Sequence, residues 1–317
     1  MEKTPISLFI DDAAPRVHVY REHSPDGVSD NGTPLLSEIP NDFLFDFCDL
    51  AEKENLRGKF SIVPMAGCRG DIAHGFPGFP YSEIEEWLNA VKNRLGGRFS
   101  FTPELLTHHK AVNLADGSFY RQDEAEWSAS QDRASLCAYV QKALTLLGLV
   151  GIRSIGVTSP WGFGKKTEPQ YAAAVSDAVR RVCGETFSFY ILHCRPGVEN
   201  TVPWIAYKDG EQCCVSVPTT TGDLLWDLID VPADRVNDEL LSRFADRVLT
   251  EDGKHGAVID AMQNGSVPVL LTHWQSLFSN GTRAGLRALG IAAQRINRTL
   301  GDRVEWTCAE QLARRFC

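Results

Sequence analysis

The stretch Ile6-Ser-Leu-Phe-Ile-Asp-Asp12 decides the reading of the fold. It is a short apolar run closed by two aspartates, and it reads as a strand whose end carries charge. Working outward, the same figure recurs. Strands are expected at Lys59–Pro64, Arg98–Thr102, Ser154–Thr158, Phe187–His193, Cys213–Val217, Val267–Leu271 and Arg303–Trp306. Between them lie segments with apolar residues at helical intervals. These are Phe43–Glu54, Tyr81–Leu95, Ser128–Leu149, Glu168–Val182, Asp238–Leu249, Gly256–Asn264, Thr282–Leu300 and Cys308–Arg315. In Tyr81–Leu95, for example, Ile84, Trp87, Leu88 and Val91 share one face. Strands that alternate with helices imply parallel pairing, hence an α/β barrel or a doubly wound sheet. The expectation is a distorted barrel of about seven parallel strands. No internal repeat or low-complexity linker divides the chain, so residues 1–317 are read as one domain.

Composition narrows the function classes. The chain has 317 residues, 43% of them hydrophobic and 23% charged. That suits a globular protein with a large core rather than a disordered chain. The net charge of −9 and the pI near 5.4 disfavour a polyanionic partner. Neither nucleic acid nor an anionic membrane is expected to bind. The start Met1-Glu-Lys-Thr-Pro lacks the basic and long apolar parts of a secretion signal, and no run is long enough to cross a bilayer. Nine cysteines are scattered without a C-x-x-C pair. Cys137 and Cys194 lie in apolar runs, where free cysteine acts as a small hydrophobe. These features are read as a cytoplasmic protein. They leave the oligomeric state open.

Two long irregular segments, Ala13–Pro40 and Ala66–Pro80, each follow a strand. Loops of that length in a compact domain are usually functional or disordered. In α/β barrels the loops after strands build the active face. Four groups of residues could carry chemistry there. Asp11 and Asp12 close the first strand. Two adjacent carboxylates repel, so one stays protonated unless a cation intervenes. His273 ends a late strand at the corresponding position, beside Trp274, a candidate substrate contact. His108 and His109 follow the third strand. Imidazole is a common ligand for zinc-like ions, and Glu104, also a candidate substrate contact, and Asn113 flank the pair. Adjacent histidines rarely share one ion, so one of them is expected to ligate, with Asn113 or Glu104 completing the site. Finally, Thr158-Ser-Pro-Trp-Gly-Phe-Gly164 offers Pro160 and Trp161 as an apolar wall for a sugar ring. Each group also has a plain reading: a turn aspartate pair, a structural histidine, a Gly/Pro turn.

The order of these groups resembles that of the polysaccharide deacetylases, carbohydrate esterase family four. Phe9-Ile-Asp-Asp12 is similar to their first motif, Ser159-Pro-Trp-Gly162 to their Pro-aromatic-Gly motif and Leu271-Thr-His273 to their last. The resemblance implies Asp11 as catalytic base, Asp12 as metal ligand and His273 as general acid, with a divalent metal, zinc by preference. It implies a metal-binding hydrolase of carbohydrate metabolism that removes an acyl group from an N- or O-acylated sugar or related amide. The chain departs from the pattern twice. The family's second motif has two histidines four residues apart, whereas here His108 would pair with Val112 and His109 with Asn113. Its Pro-aromatic-Gly motif carries an arginine where this chain has Thr158. Two other readings remain: a non-catalytic carbohydrate-binding or regulatory relative, and a metal-free glycosidase using Asp11 and Glu104.

Overall fold

A computed structural model describes residues 3–317. Met1 and Glu2, on which the reading of the leader partly rested, lie outside them. Nine strands frame the molecule: β1 Thr4–Ala13, β2 Gly58–Ile62, β3 Phe99–Pro103, β4 Gly156–Thr158, β5 Phe187–Ile191, β6 Trp204–Asp209, β7 Gln212–Ser216, β8 Val269–His273 and β9 Val304–Trp306. One sheet has the order β8-β1-β2-β3, with β9 beside the start of β1. The other has the order β6-β7-β5-β4. All pairs in the first sheet are parallel. The central strands β1 and β2 of that sheet are buried on both faces, as parallel strands covered by helices must be.

The two sheets meet at two seams. A parallel bridge joins Glu104 to Thr158 beyond the ends of β3 and β4. On the other side, Thr220 N–H donates to Val269 O at 3.0 Å, and Leu271 N–H donates to Thr221 Oγ1 at 3.0 Å. The α/β class is thus as read, but the ladder is not continuous around the ring and the structure shows no closed sheet. Nor is it wholly parallel. β6 and β7 form an antiparallel hairpin turning at Asp209-Gly210-Glu211, with Gly210 at φ 54°. That Asp-Gly pair is a hairpin signal. Sequence reading had assigned neither β6 nor the second hairpin, Lys110–Val112 with Phe119–Asp123.

Successive side chains of β1 face two separate apolar clusters. Leu8 and Ile10 join one, with Phe43, Phe60, Trp87 and Leu289. Phe9 joins the other, with Leu105, Tyr139, Phe189 and Val269. The strand's period of two therefore sets the partition of the core. Helix Arg133–Leu149 packs on Glu168–Cys183 over the second cluster. Its start corrects the expected Ser128–Leu149. Asp132 accepts from Ser135 N–H at 2.8 Å and caps a new helix there. Gly58 is fixed by close approach: a Cβ would lie 1.7 Å from Leu8 O.

The cysteines also differ from expectation. Cys213 and Cys317 are joined as a disulfide, and Cys194 is exposed rather than packed in an apolar run. Cys137 is buried as read. No helix of the described residues is long and apolar enough to cross a membrane.

Candidate metal and acid–base site

Parallel register carries the candidate groups to one rim. Asp11 on β1 is the Cα partner of His273 on β8. On its other side β1 pairs with β2 regularly up to Ile10–Phe60, then slips before Ala13–Ile62. The slip is a bulge, and Asp12 sits in it with φ 66°. A bulge re-aims side chains that strict alternation would send to opposite faces, so both carboxylates are kept inside the rim. They do not share an environment. Asp11 is held by Lys59 of β2, whose side chain is fully buried and also donates to Ile10 O at 3.2 Å. Asp12 lies instead against His108 and Glu104.

Asp12, Glu104 and His108 form a buried group whose ligand atoms all lie within 4.8 Å of one another. His108 Nε2 is 3.0 Å from Asp12 Oδ1 and 3.7 Å from Glu104 Oε1. Asp12 N–H donates to Glu104 Oε2 at 2.7 Å, and Ser61 Oγ donates to the same oxygen. Asp12 Oδ1 is buried without a well-formed hydrogen bond. The electrostatics follow from crowding. Burial resists ionisation of Asp12, but the His108 charge outweighs it and holds this carboxyl well below the usual range. Burial, then the charges of Asp11 and Asp12, push Glu104 up to about 8. Burial opposes the charged form of His108, yet Asp12 and Glu104 carry it up to about 10. Two carboxylates, one of them lacking a donor, and one imidazole make a donor set suited to a zinc-like cation.

The loop that presents His108 is fastened from below. Glu124, fully buried, accepts from Leu106 N–H at 3.0 Å, Thr107 N–H at 3.1 Å and His108 N–H at 2.9 Å. The Tyr139 hydroxyl donates to it at 2.7 Å. This grip holds Leu105 at φ 42° and His108 at φ 52°. Such conformations of non-glycine residues cost on the order of 1–3 kcal/mol each and persist where surroundings over-determine them. Trp161, half exposed, has φ 47°. Its ring meets His108 edge-on at 4.5 Å and His23 at 4.7 Å.

His273 faces a different partner. Asp223 Oδ2 accepts from the His273 backbone N–H at 2.9 Å and lies 2.8 Å from its Nδ1. Burial opposes the charged ring, but the Asp223 hydrogen bond and the Asp12 and Asp223 charges carry it up to about 9. Nε2 is left to face outward from the pair. Trp226 stands edge-on to the ring at 5.1 Å.

Other anticipated residues are placed elsewhere. Trp274, expected at the substrate, is buried in the core against Phe43, Phe47 and Phe60, because a helix begins there and turns its ring inward. Asn113 Oδ1 accepts from Ala115 N–H at 3.1 Å in the turn of the hairpin. His109 is half-buried beside the group, not in it. Glu104, expected at the substrate, lies in the ligand group. Pro160 is buried and Trp161 forms the outer wall. Four residues were not anticipated: Lys59, Glu124, Asp223 and His23. His23, from the first long segment, stacks on His108 at 5.2 Å with Nε2 buried and unpartnered. Burial and the neighbouring His108 charge press its pKa down to about 3. Glu104 and His108 stand four residues apart, with a carboxylate in place of a second histidine.

No protein-family description and no curated protein matches the sequence. The fold does match solved structures. A candidate polysaccharide deacetylase from Mycobacterium smegmatis aligns with 99% of this chain and 90% of its own, with a TM-score of 0.55 at 12% identity. A 4-alpha-glucanotransferase from Thermococcus litoralis gives 0.47 at 11% identity, over 100% of this chain and 41% of that one. A CE4 family pseudoenzyme from Bacillus anthracis gives 0.42 at 9%, over 98% and 66%. The chain therefore has a polysaccharide deacetylase-like fold. These identities establish the fold alone.

Proposed function

We propose that this protein is a metal-dependent hydrolase that removes an acyl group from an N- or O-acylated carbohydrate or related amide. The observation that carries the reading is the pairing across one rim: a buried Asp12–Glu104–His108 group on one side, and a His273–Asp223 pair on the other. Asp12, Glu104 and His108 would hold the cation, with His23 the nearest additional imidazole. A divalent cation bound there supplies Lewis-acid polarisation of the acyl group. Asp11, held in place by Lys59, accepts the proton of the attacking water. His273 Nε2 donates a proton to the leaving amine or alcohol, and Asp223 keeps the ring oriented and charged. Trp161 shields the centre and offers a face to a sugar ring. Lys59 supplies the cation beside Asp11. The glycosidase reading is disfavoured because Glu104 is tied to the Asp12 amide and Ser61.

The test is calorimetry with zinc, cobalt and nickel, with acetate release measured from acetylated chito- and xylo-oligosaccharides. Binding is expected at one ion per chain and is lost in Asp12→Ala. Absence of binding to the wild type, or equal binding to Asp12→Ala, refutes the reading.

A further inference from the structure

The strand ends of the second sheet bear a second constellation, which the acyl-transfer reading does not use. A cavity of about 530 Å³ opens where β5 and β6 meet helix Glu168–Cys183, lined by Glu168, His193, Arg195, Trp204 and Ile205. His193 follows β5, and so belongs to the same end of the parallel strands as Asp11 and His273. The Trp204 ring stands 5.2 Å from the His193 ring, and the Arg195 guanidinium 5.9 Å from the Trp204 centroid. Glu168 Oε1 accepts from the Tyr190 hydroxyl at 2.6 Å and lies 2.8 Å from His193 Nε2. Those two contacts fix the carboxylate and leave its second oxygen free. Arg195 makes no ion pair among the described residues.

A second cavity, about 220 Å³, shares Arg195 and continues along Val198, Thr221 and Gly222. Gly222 precedes Asp223, the residue that orients His273. Arg195 is thus shared between a pocket walled by an aromatic ring and the neighbouring cavity.

Resting on the reading of the protein as a glycan hydrolase, we propose that this pocket is a distal subsite for one pyranose residue of an extended glycan. The sugar's apolar face stacks on Trp204. Its vicinal hydroxyls donate to Glu168 and accept from Arg195, a pairing in which both protein groups are charged and the bonds correspondingly strong. A few convergent polar groups around an aromatic wall are what a small-ligand pocket requires.

Binding is measured by calorimetry on the whole protein, with N-acetylchitohexaose, xylohexaose and tetragalacturonate as probes. At least one hexameric or tetrameric probe is expected to bind, and Trp204→Ala to weaken it about tenfold or more, the usual effect of removing an aromatic anchor. Trp204→Phe retains stacking and stays within about threefold of the wild type. Arg195→Ala weakens the same probe. A circular-dichroism spectrum and a thermal unfolding midpoint matching the wild type show that Trp204→Ala folds. Binding of no probe, or binding equal in Trp204→Ala, overturns the subsite. Because the readout is binding, it stands or falls apart from hydrolysis: a protein that binds these probes through Trp204 yet cleaves nothing keeps the subsite and loses the enzyme.

Discussion

The two sheets make opposite use of the same strand geometry. In the first, polar groups enter the interior: Lys59 and Ser61 on β2, Thr102 on β3, Asp11 and Asp12 on β1, and Glu104 just beyond β3, all buried. In the second, β5 and β7 bury Phe187, Phe189, Tyr190, Cys214 and Val215, with hydroxyls but no charge inside the strands. The first sheet survives this because each charge has an opposite neighbour, Lys59 for Asp11 and His108 for Asp12. The lesson is that a strand can carry ionic chemistry inward only when neighbouring elements supply the counter-charge. The second sheet keeps its charges outside, at Glu168 and His193.

The sharpest way to break the comparison is catalytic. His273→Ala should lose about 10²–10⁴-fold in turnover while metal affinity is retained, since His273 is not among the ligands. The acid must be protonated, so activity should fall as pH rises through about 9 in the wild type. Asp223→Asn removes the hydrogen bond that raises this value, and the alkaline limb should move down. A pH–rate profile for both variants checks this, and an unmoved limb removes His273 from the acid's role.

Next in size is Lys59→Met. It strands Asp11 as a buried carboxylate without its cation and should destabilise by about 3–5 kcal/mol in denaturant unfolding. Adding Asp11→Leu should restore most of that. In the second sheet Tyr190→Phe removes one hydrogen bond to Glu168 and should cost only about 1 kcal/mol. Equal costs would end the contrast between the sheets.

A third effect comes from His18, buried behind the first sheet, where burial is the main cause of a pKa near 4. Above pH 6.5 the ring is neutral folded or unfolded. As pH falls from about 6.5 to 4, the unfolded chain takes up a proton that the folded one refuses, and stability drops. The full difference is on the order of 3 kcal/mol. His18→Asn, which keeps a cap for the Arg21 amide, should flatten that part of the stability–pH curve.

A fourth effect comes from Glu124→Gln. Three backbone amides and Tyr139 converge on this carboxylate. The amide can keep some of these bonds, so a loss of about 1–2 kcal/mol is expected. Because His108 rides on that loop, metal affinity should weaken with it, which calorimetry reads directly.

What the sequence made legible follows from locality. The apolar run before Asp11-Asp12 and the one before His273 mark strand ends, and parallel pairing then brings the ends together. The α/β alternation was likewise local. Counter-charges were not, because they come from other elements. Lys59 opens what reads as an ordinary strand, and nothing near it points to Asp11, 48 positions away. Asp223 follows three threonines and a glycine in what looks like a turn. Glu124 lies in a short helix that no apolar period reveals. Trp274 was misplaced for a related reason. A residue just after a strand end is equally able to face the rim or the core, and only packing against Phe43, Phe47 and Phe60 decides. His23 was hidden in a long irregular segment.

Asp12, His108 and Trp161 all occupy left-handed backbone conformations that glycine would adopt with less effort. Anyone selecting variants of this protein for heat resistance alone would be drawn to replace them, Trp161→Gly above all, and would collect sturdier molecules with an empty rim. At these three positions backbone ease has been given up for use rather than endurance, and a library that holds them fixed should retain activity while the rest of the surface is improved.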